Sequence, residues 1–300
     1  MHSQRPSRYI TKIKEDLIEK ILLGCAILSV FVLISILATL SYEAISFFSE
    51  ISIIEFFTAT QWTPLFKPAH YGILPLISGT LLVAGISLIV SVPLGLGTAI
   101  FLSEYAPEKL RKTIKPILEI LAGVPTVVYG YFAIMYVTPQ LQKIFPDMIV
   151  FNALSAGLVM GLMIIPMISS LSEDAMLAVP RLLREGAYAL GATKFEVAIK
   201  VVIPSALSGI ISSIILAMAR AIGETMIVTI AAGSTPRLTL NPLQSVQTMT
   251  SYITQISLGE AVFGSIEYQT IFAVGITLFL IVLFINLLGT IITNKYKERY

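Results

Sequence analysis

Cysteine occurs once, at Cys25, and histidine twice, at His2 and His70. A single thiol cannot close an intrachain disulfide or build a cysteine metal site, and its place in an apolar run reads as a small hydrophobe. Both histidines lie outside the apolar runs and no H-E-x-x-H occurs, so an intramembrane metalloprotease is not expected. No Gly-Lys dipeptide is present, so the chain lacks a P-loop, and any ATP chemistry must come from a partner. No aspartate falls inside an apolar run, Asp147 standing just outside one, which argues against a phosphorylated-aspartate pump. Charged residues make up only 13% of the chain, 20 basic and 18 acidic, and the cations are dispersed, so no nucleic-acid footprint exists. No fixed-period repeat, low-complexity tract or Gly/Ser linker divides the sequence.

What is abundant is apolar surface. Of 300 residues 56% are hydrophobic, with a mean hydropathy of +0.86, which places the chain in a bilayer and excludes a large soluble catalytic module. Runs nearly free of charge extend over Ile21 to Tyr42, Gly72 to Ser103, Ile120 to Gln142, Met148 to Ser172, Val201 to Ala219 and Thr270 to Asn294. Six transmembrane helices are predicted, in an all-α, polytopic integral membrane protein. The second run, with Pro75 and Pro93, is too long for one upright span, so it is expected to tilt and kink or to leave a piece in the interface. Lys and Arg number five, one, four, one, four, one and three in the successive segments outside these runs, Arg220 being set aside within the fifth span. By the positive-inside rule both termini are cytoplasmic, as are Glu104 to Pro116 and Ser172 to Lys200. Trp62, Phe66 and Tyr71 suit the outer headgroup level. The first run is longer than a signal core and no A-x-A-like site follows it, so an uncleaved, peripheral first helix is expected. The preceding Arg5 to Lys20 reads as a membrane-surface helix.

The segment from Arg184 to Pro204 has its own logic. Leu183, Ala187 and Leu190 form one apolar stripe on a short helix. Gly191 suits a left-handed position that stops that helix. A second amphipathic stretch, Thr193 to Val202, leads to Pro204, which fits the first turn of the next span. This spacing resembles the EAA loop of ABC-importer membrane subunits: Glu185, Gly186 and Ala187, then Gly191, then Val201, Ile203 and Pro204, with Gly186, Val201 and Ile203 departing conservatively from the motif. The resemblance implies that this loop sits in a groove of a separate nucleotide-binding subunit and transmits its motion.

Arg220 and Glu224 are four residues apart, which predicts one helix face. Arg220 is about 24 Å of helix beyond Pro204 and so well into the bilayer. A charge there costs on the order of 2.5 kcal/mol or more and needs a partner or water. Two readings follow: Arg220 contacts a passing oxyanion while Glu224 limits its hold, or the pair pins helices together.

R-A-I-G-E-T at Arg220 to Thr225 is similar to the signature of the membrane subunits of the phosphate (Pst) ABC importer. W-T-P at Trp62, Y-G-I-L-P-L-I-S-G-T from Tyr71, V-P-L-G-L-G-T-A-I-F-L-S-E from Val92 and L-A-G-V-P-T-V-V-Y-G from Leu121 look like the C-type subunit; Met226 and Ile227 stand where the A-type has Ala-Pro. The resemblance implies a type 1 ABC-importer permease of MetI-like core in a prokaryotic cell membrane. It implies a heterodimer with an A-type subunit, two ATP-binding subunits that hold ATP and Mg, and an extracytoplasmic phosphate-binding protein. This chain would catalyse no covalent reaction and carry no cofactor. Its organisation would be residues 1–71 as tail, first helix and outer segment, 72–293 as the transporter core with the coupling loop at 181–204, and 294–300 as a cytoplasmic tail. One Arg against one Glu is neutral, so a divalent anion needs further donors, for which Thr126, Tyr129, Thr225 or a matching Arg on the partner subunit are candidates; helix packing and capping are the alternative roles of these residues. Other oxyanions (sulfate, molybdate, phosphonate) and a proton-coupled secondary transporter using Glu224 are the alternative readings.

Gly95 and Gly97, like Gly157 and Gly161, suit close helix approach. Pro125 and Pro166 are expected to kink their helices. The long outer segment from Gly233 to Gln269 has a helical-looking stretch at Leu243 to Ile256.

Overall fold

The computed structural model describes residues 8–295, and these are helical apart from connections and one antiparallel bridge between Trp62 and Tyr71. His2, Arg5, Lys297 and Arg299 lie outside the described residues. Helix α1 runs Arg8–Glu50 without interruption. Its 43 residues span about 65 Å at 1.5 Å each, twice the roughly 30 Å of a hydrocarbon core. The expected separate surface helix up to Lys20 is instead the beginning of α1, because no glycine or proline stands between Arg8 and Ile21 to break the hydrogen-bond ladder. None of the most apolar part of α1 is buried within the chain; the helix rests along α14, and its C-terminal end packs through Phe47 and Phe48 on Phe56 and Tyr71. Within this chain it is peripheral, as the sequence implied.

Helix α2 (Ile53–Thr58) and the following loop fold back over the bundle. Here Phe47, Phe56, Trp62 and Tyr252 meet edge to face with centroids 5.8, 6.0 and 5.0 Å apart in succession. Trp62 and Tyr71 are therefore core residues, 1% and 7% exposed, while Phe66 alone of the three projects outward, 70% exposed. The headgroup assignment fails for the first two because their rings are consumed by this cluster. Burial, with nearby Glu267, Glu50 and Glu55 adding negative potential, pushes the Tyr71 hydroxyl pKa up.

Helix α3 (Leu74–Ile100) continues through a π turn, Phe101–Tyr105, so the long second run is one continuous helix. Helix α4 (Glu108–Ala122) buries no side chain. It meets α5 (Thr126–Phe132) at an 85° bend. The third apolar run is thus broken between Ala122 and Thr126: Gly123 ends α4, and Pro125, expected to kink its helix, lacks an N–H and drives Val124 out of the helical region. A π turn, Ala133–Val137, joins α5 to α6 (Thr138–Ile144).

Helix α7 (Ala153–Leu177) is the centre of the bundle and carries Pro166 without a break. It lies tightly on α3. A Cβ at Gly161 would stand 2.9 Å from the Ser87 carbonyl oxygen, and one at Gly157 would stand 2.7 Å from Ile86 Cβ. Gly95 likewise faces Ile168, whereas Gly97 faces open space and plays no part in packing.

Helix α8 (Arg181–Ala189) leads to α9 (Lys194–Val197), a π turn (Ala198–Val202) and α10 (Ile203–Ser205). The chain then turns 71° at Ala206 into α11 (Leu207–Ile222). Pro204 accordingly closes the preceding helix instead of opening the span. Three π turns share one cause: each stands two residues before a proline, Pro107, Pro139 or Pro204. Ala106, Thr138 and Ile203 donate five residues back, to Phe101, Ala133 and Ala198, and this wider turn eases the approach of the following ring.

Helix α12 (Met226–Ala231) follows a break at Gly223 to Thr225. The stretch expected as helix from Leu243 is a turn followed by irregular chain until α13 (Met249–Gln255), where Thr248 accepts a hydrogen bond from the Ser251 N–H at 3.1 Å. Pro242 and Gln244 instead offer carbonyls to the Leu154 and Ala153 N–H groups at the start of α7, 2.8 and 3.1 Å away. A π turn (Ile256–Glu260) and α14 (Ile266–Lys295) complete the chain. Among the described residues four helices are long and apolar enough to cross a membrane, or six spans if each bent pair counts once. Val83, Met160, Ile164, Ala217, Ile222 and Ile227 fill the space between α3, α7, α11 and α12.

Candidate functional site

Arg220 occupies the last turn of α11, about 20 Å along that helix from Leu207. Its helix ends two residues later because Gly223 interrupts the hydrogen-bond ladder, so Glu224 is no longer on the same helix as Arg220. The predicted pair does not form. Glu224, 8% exposed, turns its carboxylate to the start of α12, where Oε1 accepts the N–H groups of Met226 and Ile227 at 3.1 and 3.3 Å. Opening a helix inside a bundle frees N–H groups that water cannot reach, and a carboxylate satisfies them and complements the helix dipole. The Glu224 carbonyl in turn accepts Thr250 Oγ1 at 2.7 Å, tying the break to α13.

Arg220 itself makes no hydrogen bond or ion pair among the described residues. It is exposed and lines an open cavity of about 420 Å³ together with Glu119, Ala122, Met163, Pro166, Met167, Ser170 and Leu171. The walls come from the end of α4 and the middle of α7. A guanidinium with five free donors in a largely apolar cavity can grip a tetrahedral oxyanion in bidentate fashion.

The remaining predicted path residues lie outside this lining. Tyr129 spends its hydroxyl hydrogen on the Leu121 carbonyl at 2.8 Å, bracing the 85° bend. Thr225 Oγ1 donates to the Gly223 carbonyl at 3.3 Å across the other break. Thr126 opens α5, half-buried. The structure does bring α5 against α12, since a Cβ on Gly130 would stand 3.0 Å from Ile230 Cβ.

At the other end, α8 closes as the sequence predicted: Gly191 has φ +84°, its N–H donates to Tyr188 O at 2.9 Å, and the Ala192 N–H donates to Ala187 O at 3.1 Å. Thr193 and Glu196 form a reciprocal cap on α9. The Thr193 N–H, Lys200 at 3.1 Å and the Thr193 hydroxyl lower the Glu196 carboxyl to about 2. The expected stripe holds only in part. Ala187 packs inward, but Leu190 lies past the helix end and is 91% exposed. Glu185 and Gly186 are exposed on α8, and Ile203 packs against the cluster of Val197, Val202 and Ala206.

Two charge arrangements were missed in the sequence. Arg184 donates to the Val179 and Met176 carbonyls, both at 2.7 Å, and to Glu104 at 3.1 Å, binding α8 to the ends of α3 and α7. An arginine shortly after a helix end is the available signal for such a role. Lys115 meets Glu173 at 3.3 Å and Asp174 at 2.6 Å, and Arg111 meets the fully buried Glu173 at 3.8 Å, which fastens α4 to α7. Nothing in a linear pattern pairs these segments.

Comparison with known proteins gives a consistent result. Residues 91–298 match the family described as binding-protein-dependent transport system inner membrane component. The chain is 33% identical over 294 residues to the probable ABC transporter permease protein YqgH of Bacillus subtilis, covering 96% of this chain and 94% of that protein. It is 32% identical over 295 residues to the phosphate transport system permease protein PstC of Haemophilus influenzae, covering 91% of each. Among solved structures, a bacterial alginate ABC transporter superposes with a TM-score of 0.68 at 18% identity, over 97% of this chain and 99% of that one. The inward-facing MetNI methionine ABC transporter gives 0.57 at 18% identity, over 76% and 95%. The last two share the fold. With two thirds of its length matched by the family and permeases about a third identical along nearly its whole length, this chain belongs to the binding-protein-dependent transport system inner membrane component family.

Proposed function

We propose that the chain is a permease subunit of an ATP-driven inorganic phosphate importer, forming half of the translocation path. The observation that carries the reading is Arg220: an uncompensated guanidinium on a spanning helix, facing a cavity. Such a charge is costly in a membrane unless it serves a polar passenger or water. The likeness to PstC proteins selects phosphate as that passenger. Glu224, Thr225 and Tyr129 serve the path by holding the two backbone breaks beside it, and Thr126 begins the helix that packs on α12.

In this reading both termini and the α8 to α10 loop face the cytoplasm. Glu185, Gly186, Ala187, Gly191, Ile203 and Pro204 form or support the element that a separate ATPase moves. Two such ATPase subunits hold ATP and Mg, an A-type permease supplies the other half of the path, and a binding protein delivers the anion from outside. Residues 72–293 form the working core and 1–71 an added helix and outer segment. Arg184, tied at once to α3 and α7, gives the loop a stiff connection to the bundle.

The test is labelled-phosphate uptake into proteoliposomes carrying the co-purified complex, with binding protein outside and ATP inside. ATP-dependent uptake that excess sulfate does not compete is expected, and Arg220→Gln should abolish it in an assembled complex. Uptake without ATP would replace the proposal by secondary transport. ATP hydrolysis without phosphate uptake would move the passenger to another oxyanion.

A further inference from the structure

The cavity that Arg220 faces contains one opposing charge, Glu119. It stands on the last turn of α4, and among the described residues its carboxylate has no hydrogen-bond or ion-pair partner. Lys115, one turn earlier on α4, is engaged by Glu173 and Asp174. Those bonds also fix the helix that presents Glu119. The Glu119 carbonyl accepts the Gly123 N–H at 3.1 Å, so the residue sits at the corner of the 85° bend that Tyr129 braces. Ser170 adds a hydroxyl without a protein partner, and the other walls are apolar.

A guanidinium does not distinguish one tetrahedral oxyanion from another. A carboxylate in the same cavity does. It repels an anion that has no hydrogen to give, and it accepts a hydrogen bond from one that carries an O–H. Near neutral pH, phosphate retains at least one such hydrogen and sulfate retains none. We propose that Glu119 is a specificity-determining residue, accepting the hydrogen bond of a protonated oxyanion held by Arg220, so that the cavity takes hydrogen phosphate and refuses sulfate. This rests on the phosphate-permease reading. It also supplies the acidic group opposite Arg220 that Glu224, committed to α12, does not provide.

The test uses the purified transporter complex without its binding protein, so that upstream selection is removed. Equilibrium binding of radiolabelled phosphate is displaced by unlabelled phosphate or sulfate in the parent complex and in Glu119→Gln, Glu119→Asp and Arg220→Gln. The parent should require far more sulfate than phosphate for displacement. Glu119→Gln should narrow that ratio by about tenfold or more, the scale of one charge-assisted hydrogen bond, while Glu119→Asp keeps most of it. An unchanged ratio in Glu119→Gln overturns the role of Glu119. Phosphate binding by Arg220→Gln equal to the parent, or no binding by the parent, overturns the underlying site whatever Glu119 does. Glu119 is exposed and has no side-chain partner among the described residues, so its variants are expected to assemble normally.

Discussion

Replacing Glu224 by alanine removes the acceptor that holds the Met226 and Ile227 N–H groups at 3.1 and 3.3 Å. The residue is only 8% exposed, so water does not readily take its place, and each stranded donor costs about 1–3 kcal/mol. Because both bonds end on one oxygen they do not add in full, and a combined loss of about 2–3 kcal/mol is expected. Glutamine keeps a side-chain oxygen at the same reach. A neutral acceptor is roughly half as strong as a charged one, so Glu224→Gln should lose about 1 kcal/mol. Hydrogen exchange of the α12 segment in the purified complex, followed by mass spectrometry, reads these differences directly. Exchange should accelerate about 30-fold or more in the alanine variant and about fivefold in the glutamine variant. If glutamine were as damaging as alanine, the charge and not the acceptor would matter, as a counter-ion to Arg220 would require. The helix-end role would then be refuted.

The other expectations follow from contacts already described. Gly161→Ala places a methyl 2.9 Å from the Ser87 carbonyl oxygen; thermal unfolding should show a loss of about 1–3 kcal/mol, and an unchanged unfolding temperature would contradict the close approach of α3 and α7. Arg184→Ala strands Glu104, 5% exposed, and two carbonyls; it should cost about 3 kcal/mol or more and weaken the response of uptake to ATP, and full coupling would remove Arg184 from the transmission role. The Glu196 carboxyl lies at about 2, below its ordinary value, so the cap on α9 contributes stability above the ordinary carboxylate range and loses it as pH falls through about 2. A carbon-labelled Glu196 carboxyl that titrated at its ordinary value would contradict this.

Composition and runs of apolar residues were enough to read the helical class, the peripheral α1 and the spans of α3, α7 and α14, because lipid demands length and hydropathy and little else. The turn at Gly191 was legible for a different reason: a left-handed residue after an amphipathic turn has few alternatives to glycine. Pro125 marked the bend before α5, but the break at Gly223 beside Arg220 was not legible. Hydropathy is continuous across Ile120 to Gln142 and past Gly223, and a residue count of four assumes an uninterrupted helix. It does not record which side chain must satisfy the N–H groups that a break exposes. Glu119 was hidden similarly, as one more charge in a polar stretch whose distance from Arg220 in sequence gives no hint of a shared cavity. Trp62 and Tyr71 were misplaced because an aromatic belt and an aromatic core have the same composition.

The three wide turns ahead of Pro107, Pro139 and Pro204 bear on how the helices can move. A wide turn is one surplus residue wound into an α-helix, and it rotates everything beyond it by about 100°. In an ordinary helix the surplus can creep along the axis, one hydrogen bond at a time, changing which side chains face a neighbour. A proline fixes the place where the surplus fits best, so α6 and α10 keep a set rotational phase against the helices that precede them. On the proposed function, motion delivered through α8 to α10 would pass along as tilt at the 71° bend at Ala206 rather than as twist.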